Sequence, residues 1–405
     1  MPTPPARADR ASRAKLPFEV WALVAGGFSV ALGYGVVAPA IPQYALEFGV
    51  SNLAASAIVS AFALMRLVGA PFAGLLVGKL GERRTYTAGI LIVALSTGAC
   101  ALAVNYPQLI LLRAAGGIGS AMFTVAATAL LIKVSPPDAR GRVASINSAG
   151  FLSGALLGPV FGAFVAGFGL RAPFVFYFLT LVLAATVARI ALRRSTLAAR
   201  DVGTDRAEPM SLRGALRVPQ YRALLVSVFA FGWSSFGVRI SIVPLFVASV
   251  FHGDASVAAW VLAAYAAGNA LLIFPSGRWN DTVGRKPMLV IGFAVLTAGY
   301  LAFAASPNVW AAAAVMFVAG AGSALVNPGQ QAVLADVVNR RPGGKVVAAY
   351  SMTSDLGGVI GPLIAGAIVD AAGFGWSFAA TAVLLGIALG AWIAVADTRR
   401  PGRTV

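Results

Sequence analysis

The sequence predicts an all-α membrane protein of twelve transmembrane helices arranged as two pseudo-symmetric six-helix bundles, and three observations carry that expectation. The 405-residue chain is 59% hydrophobic and 11% charged, with a mean hydropathy of +0.83, well outside the range of soluble globular domains. Apolar runs of about 20 residues, the length that crosses a bilayer, recur near 18–41, 54–78, 86–104, 107–132, 143–167, 172–192, 223–249, 256–276, 287–305, 308–334, 346–369 and 374–396. The run Gly154-Ala-Leu-Leu-Gly158-Pro159-Val-Phe-Gly162-Ala163 returns as Gly357-Gly-Val-Ile-Gly361-Pro362-Leu-Ile-Ala365-Gly366, displaced by 203 residues. The same shift maps Gly141-Arg-Val onto Gly344-Lys-Val, Gly117-Ile-Gly-Ser-Ala onto Gly320-Ala-Gly-Ser-Ala, and Gly74…Gly81 onto Gly277…Gly284. Several matches at one shift mark a duplicated unit.

The charge pattern gives the orientation. A net charge of +17 would suit a nucleic-acid binder, but the basic residues do not form a soluble patch. Apart from Arg171, Arg66, Arg113 and Arg239, the 31 Lys and Arg fall at the two termini or at and beyond the ends of even-numbered spans. That asymmetry follows the positive-inside rule and places both termini in the cytoplasm of a multi-pass protein of the inner (plasma) membrane. The expected partners are the lipid bilayer, a small-molecule substrate and protons, with no nucleic acid, and the expected oligomeric state is monomeric. The organisation reads as a cytoplasmic tail over 1–17, a bundle over 18–192, a cytoplasmic linker over 193–222, a second bundle over 223–396 and a tail over 397–405. Residues 1–17 lack a short apolar core followed by a cleavage site, so the first span is expected to be its own insertion signal. In the linker, Ser211-Leu-Arg-Gly-Ala-Leu-Arg suits a surface-lying amphipathic helix. The lone Cys100 excludes an internal disulfide, and the lone His252 reads as a solvated loop residue; no metal or cofactor is expected.

Taken in order, the spans carry these features. Span one ends on Pro39-Ala-Ile-Pro42 after Leu32-Gly33. Proline removes a backbone donor, a defect tolerated in a membrane where a neighbour or a wet cavity satisfies the freed carbonyl, so span one is expected to line a cavity. Gly237…Pro244 of span seven echoes it. After span two comes Gly74-Leu-Leu-Val-Gly78-Lys79-Leu-Gly81-Glu82-Arg83-Arg84, and after span eight Gly277-Arg-Trp-Asn-Asp281-Thr-Val-Gly284-Arg285-Lys286; both read as tight cytoplasmic gating turns, and Gly78 stands where the second turn carries its acid, Asp281. Arg113 lies well inside span four, opposite Met316 in the repeat. An intramembrane arginine costs at least about 2.5 kcal/mol and is expected to face a cavity or a partner. Gly158-Pro159 and Gly361-Pro362 read as helix breaks at matching places in spans five and eleven, which points to a moving interface around a central site.

These motifs together resemble the major facilitator superfamily, and within it the twelve-span drug/proton antiporter group. The proline pair of span one, the glycine and basic turns after spans two and eight, the arginine segment of span four and the Gly-Pro motif of span five occur in that group's order, over nearly the whole chain. The span-five motif is similar to the signature of exporters, with Ala163 where a final glycine is usual. The resemblance implies the major facilitator fold, two bundles rocking about a central cavity, and a cavity wall to which Tyr34, Phe151, Trp233, Phe236 and Tyr265 contribute.

For an energy source, the chain has no Gly-x4-Gly-Lys-Ser/Thr run to hold ATP and no hydrolase or zinc-protease signature, so it is not expected to be an enzyme, and an ion gradient remains. Asp355 is the carboxylate placed deepest, about ten residues and so about 14 Å inside the cytoplasmic end of span eleven. Burial disfavours a charged carboxylate and a nearby arginine favours it; the expectation is a proton carrier at Asp355 tuned by Arg113 or Arg239. Glu19, Glu47, Asp336 and Asp370 lie near span ends, where solvated carboxylates are the default. Arg66, mid-span two and opposite Asn269 in the repeat, and Arg239 in the outer half of span seven would make the cavity positive and favour a neutral or anionic compound; alternatively Arg239 snorkels outward. The resulting expectation is a secondary active transporter exporting a small amphiphilic, drug- or antibiotic-like compound in exchange for protons, the alternative being an exporter or facilitator of an endogenous metabolite such as a sugar or secondary product.

Overall fold

In lipid every backbone N–H and C=O must be satisfied within the protein, and apolar runs of this length satisfy theirs as helices. The computed structural model describes residues 16–135, 140–193, 211–338 and 344–398, and all regular structure among them is helical. Span one comprises Phe18–Val37 and Ala40–Leu46; spans two to six are Asn52–Leu80, Glu82–Cys100, Tyr106–Val134, Arg140–Ala166 and Ala172–Arg193. Span seven comprises Pro219–Phe231, a π-helical segment Gly232–Val238 and Arg239–Val250; spans eight to twelve are Ala255–Thr282, Arg285–Ala304, Val309–Val338, Gly344–Ala372 and Phe374–Ala394. Among the described residues eleven of these are long and apolar enough to cross a membrane. The twelfth, span three, is 19 residues long and opens on Glu82-Arg83-Arg84, which lowers its hydropathy. It is packed between spans four and six.

The helix starts are written into the sequence, and they repeat. Ser51 accepts a hydrogen bond from Ala54 N at the head of span two, and Asp254, 203 positions on, accepts one from Val257 N at the head of span eight. Asn105 caps span four through Gln108 N, and Asn308 caps span ten through Ala311 N. Each side chain fills one of the donors a helix N-terminus leaves open. Gly81 and Gly284 have φ of +80° and +124° just before spans three and nine, a backbone region that side chains disfavour.

The linker differs from expectation at one boundary. Span seven begins at Pro219 rather than 223, with proline at the helix's first position, where its missing N–H costs nothing. The helix of the Ser211 segment is short, Leu212–Leu216, with Ser211 accepting from Gly214 N. The tail 1–15, residues 194–210 and the end 399–405 lie outside the described residues.

Lipid supplies no hydrophobic drive between helices, so close approach of backbones must do the work, and glycine permits it. A methyl group built on Gly154 would stand 2.4 Å from Phe28 O, and one on Gly357 2.3 Å from Phe229 O. Gly117 and Gly320 meet the carbonyls of Phe62 and Tyr265 in the same way, at 2.3 and 1.9 Å. Spans one and five, seven and eleven, two and four, and eight and ten are thus locked by equivalent small-residue contacts.

The Gly-Pro motifs need a correction. Pro159 and Pro362 lie inside continuous helices, Arg140–Ala166 and Gly344–Ala372, so spans five and eleven are not broken there. Gly158 instead packs on Gly35 Cα, and Pro362 against Gly237: the motif brings span five onto span one and span eleven onto span seven. Pro39 and Pro42 do mark a break, since span one stops at Val37 and restarts at Ala40. Gly74 and Gly277 also lie within helices rather than in turns; the turns themselves are confined to Gly81 and Gly284.

Candidate functional site

Among the described residues the halves meet chiefly along spans two and eleven and along spans five and eight. Along spans two and eleven, which run antiparallel, the seam descends from the end of the bundle remote from the basic turns. Asp370 accepts from Asn52 N, Asn52 Nδ2 and Leu53 N, Ser60 Oγ donates to Val359 O at 2.7 Å, and Arg66 pairs with Asp355. Asp370 therefore caps the open donors of span two from the other half, a role the reading of span-end carboxylates as solvated missed. Between spans five and eight, Ser256 Oγ donates to Ala163 O at 2.6 Å and Phe164 meets Trp260 edge-on at 5.4 Å. Gln43 Nε2 reaches Pro244 O at 3.2 Å. These contacts lie in the half of the bundle far from the basic turns. Among the described residues, 67–80 of span two make no hydrogen bond or ion pair to the second half, and a methyl on Gly74 or Gly78 would meet open space.

Below the sealed end lies a cavity of about 320 Å³, at the small end of the roughly 300–1,000 Å³ that ligand pockets span. Its wall is mainly aliphatic and aromatic, with Tyr34, Phe62, Phe123, Phe151, Tyr177 and Phe236 prominent; the charged residues on it are Arg66, Arg239 and Asp355. Tyr34 and Phe62 lie 5.9 Å apart, centroid to centroid.

The structure brings Asp355 and Arg66 together across the cavity, as an ion pair between spans two and eleven. The arginine facing the carboxylate is therefore Arg66, whereas the sequence pointed to Arg113 or Arg239. Both side chains remain partly exposed, at 42% and 23%. Arg113 is absent from the wall. It is 2% exposed, its Nε has no hydrogen-bond partner, and its guanidinium lies over the Phe62 ring at 4.6 Å. Phe62 separates it from the cavity, and the cation–π contact stabilises it by about 0.5–2 kcal/mol.

Arg239 points inward rather than snorkelling. Its Nε donates to Ser235 O at 3.1 Å, and its guanidinium lies over Tyr265 at 4.4 Å. Trp233, Tyr265 and Asn269, expected on the wall, do not line the cavity. Trp233 is buried, its Nε1 donating to Thr381 Oγ1 at 3.1 Å. Tyr265 lies beneath Arg239 and shares a hydrogen bond with Ser235. Asn269 turns into its own half, toward Gly320 O and Ser323 Oγ. Conversely, Phe62 and Tyr177 were not read as wall residues. Phe62 was legible, since it stands one helical turn before Arg66 on the same face; Tyr177 had no such marker.

The turns at the basic end hold ion pairs. Lys133 pairs with Glu82 at 2.8 Å, and Arg285 with Asp336 at 3.3 Å, whose carboxylate also accepts from Thr398. Lys286 N–H donates to Asp397 and Lys286 Nζ to Ile393 O. Arg83 stands in the first turn of span three. The side chain of Asp281 lies outside the described residues.

A model of the Major Facilitator Superfamily matches residues 23–247 and again 224–405. The chain belongs to this superfamily. Its members are membrane transporters rather than enzymes. Among curated proteins the chain is 26% identical over 353 residues to the quinolone resistance protein NorA of Staphylococcus aureus strain MRSA252, covering 87% of this chain and 90% of NorA. It is 25% identical over 360 residues to multidrug resistance protein 2 of Bacillus subtilis strain 168, covering 86% and 88%. Among solved structures it superposes on a bacterial homologue of the human lysosomal transporter Spinster, inward-facing and unoccupied, with a TM-score of 0.78 at 19% identity, over 93% of this chain and 95% of that one. The fold is that of the superfamily.

Proposed function

We propose that this chain is a proton-driven exporter of a small amphiphilic, drug-like compound, working as a monomer in the inner (plasma) membrane by rocking of its two six-helix bundles. The observation that carries the reading is the Asp355–Arg66 ion pair, a bridge between the halves on a largely apolar cavity wall. The relatives named for quinolone and multidrug resistance support the drug-like class. The positive-inside rule puts the basic turns in the cytoplasm, so the described seams close the outer side and the cavity faces inward.

The chemistry follows from charge. Ionised Asp355 holds Arg66 and keeps spans two and eleven joined. Protonation removes its charge and with it the attraction, leaving the seam to weaker contacts. An empty, deprotonated transporter is thereby latched and does not leak; a proton or a bound compound releases the latch.

The test is proton movement in proteoliposomes under an imposed pH gradient, with neutral, anionic and cationic compounds, comparing the native protein with Asp355→Asn. Proton release coupled to a compound, lost on substitution, is the expected result. Coupled transport that survives Asp355→Asn removes Asp355 as carrier. Compound flux without any proton flux points to a facilitator of an endogenous metabolite.

A further inference from the structure

Spans one and seven are repeats, yet they are not in a single register. Phe229 and Trp233, which pack on Gly357, stand 201 positions beyond Phe28 and Leu32, which pack on Gly154. Gly237, which packs on Pro362 and Gly361, stands 202 beyond Gly35, which packs on Gly158 and Pro159. One extra residue has therefore entered span seven between Trp233 and Gly237, and the helix absorbs it as the π segment Gly232–Val238. Such single-turn bulges recur at functional sites because they re-aim side chains without breaking the helix.

Here the bulge sets Arg239. In α register the Arg239 N–H would take Ser235 O; it reaches Ser234 O instead, and Ser235 O accepts from the arginine's own Nε. The Tyr265 ring holds the guanidinium plane from below at 4.4 Å, and Tyr265 is itself tied to Ser235 Oγ. The side chain is thus fixed at Nε and at one face. Its terminal Nη groups have no hydrogen-bond partner among the described residues, and no carboxylate pairs with it. Of the two arginines on the cavity wall, Arg66 is neutralised by Asp355, so Arg239 leaves the cavity one positive charge in excess.

We propose that Arg239 is the specificity-determining residue of the cavity and reads a carboxylate, so that the compound carried is an aromatic monocarboxylate, anionic or zwitterionic. The inference rests on the cavity being the transport site. A guanidinium offers two parallel N–H donors that match a carboxylate's two oxygens, and the surrounding Tyr34, Phe62, Phe151 and Phe236 rings take an aromatic body. A permanently cationic compound meets only repulsion at Arg239.

The test is isothermal titration of purified full-length protein in nanodiscs with 2-naphthoate and indole-3-acetate, each against its own carboxamide. The expected result is that each carboxylate binds at least about tenfold more tightly than its amide, and that Arg239→Gln brings the ratio of the two affinities to about one. Arg239→Lys should keep part of it, since charge is retained and the planar fork lost. Equal affinities in the native protein, no binding of either carboxylate, or a preference that survives Arg239→Gln overturns the proposal. So does a preference lost in Arg66→Gln alone. The comparison within the native protein stands even if a variant fails to fold. A carboxylate preference without proton release would sink the antiport reading and leave the role of Arg239 intact.

Discussion

The two halves share a scaffold and differ in charge. Equivalent glycines bring equivalent helices together, Gly154 with Gly357 and Gly117 with Gly320, and side-chain caps at matching positions start the same spans. At the basic end, Glu82 and Lys133 pair in the first half; 203 positions on, Arg285 and Asp336 pair in the second, the same bridge with its charges exchanged. Phe62 and Tyr265, also 203 apart, each lie beneath an arginine, but Arg113 comes from span four and Arg239 from span seven. Arg66 crosses to Asp355 in the other half, whereas its counterpart Asn269 stays at home on Gly320 and Ser323. Backbone packing leaves little freedom at a helix contact, so duplication preserves it. A charged side chain has reach and sign to vary, and the function is written in those differences.

The comparison can be broken at several places. The largest effect is expected from the shared scaffold: Gly154→Leu or Gly357→Leu would drive a side chain into a facing carbonyl, and either should abolish folded, membrane-inserted protein, read by size-exclusion of the detergent-solubilised chain. Next comes the asymmetric charge. Asp355→Asn should reduce uphill, proton-driven transport by about 100-fold or more while downhill flux of the same compound continues, because the latch is lost and the pathway is not. Arg66→Asn, which makes the first half resemble the second, should raise proton leak into compound-free proteoliposomes several-fold. A smaller effect is expected at the outer seal: Asp370→Asn removes a carboxylate that accepts three hydrogen bonds and should lower thermal stability by about 1–2 kcal/mol. The smallest belongs to the exchanged bridge. Lys133→Glu should cost about 1 kcal/mol or less by placing two acids together, and Glu82→Arg with Lys133→Asp should restore it, since the second half already tolerates that polarity.

Much of the fold was legible because it rests on hydropathy and on small residues at fixed spacing, both of which survive in a sequence read alone. The glycine matches at one shift pointed to the duplication, and Pro39 with Pro42 marked the break in span one. The site was legible only in part. Asp355 stood out as a carboxylate far from any span end, but its partner was decided by the length of Arg66 and by the antiparallel register of spans two and eleven, which no local pattern reveals. Asn269 and Trp233 were read onto the wall from their spans, while their side chains find hydrogen bonds inside the second half. The π segment escaped notice because a single inserted residue leaves hydropathy unchanged; its trace was the shift from 201 to 202 between spans one and seven. The Gly-Pro motifs misled, since in a packed membrane helix a proline following a glycine served close approach without interrupting the helix.

In the proposed mechanism, the charge on Asp355 latches the outer seam through Arg66. The distance between spin labels on Glu47→Cys and Ala371→Cys, exposed positions at the outer ends of spans one and eleven, would be measured by pulsed electron resonance with Asp355 intact and in the Asp355→Asn background. A short distance is expected with Asp355 intact, and a longer one in Asp355→Asn. The same short distance in Asp355→Asn would rule the latch out.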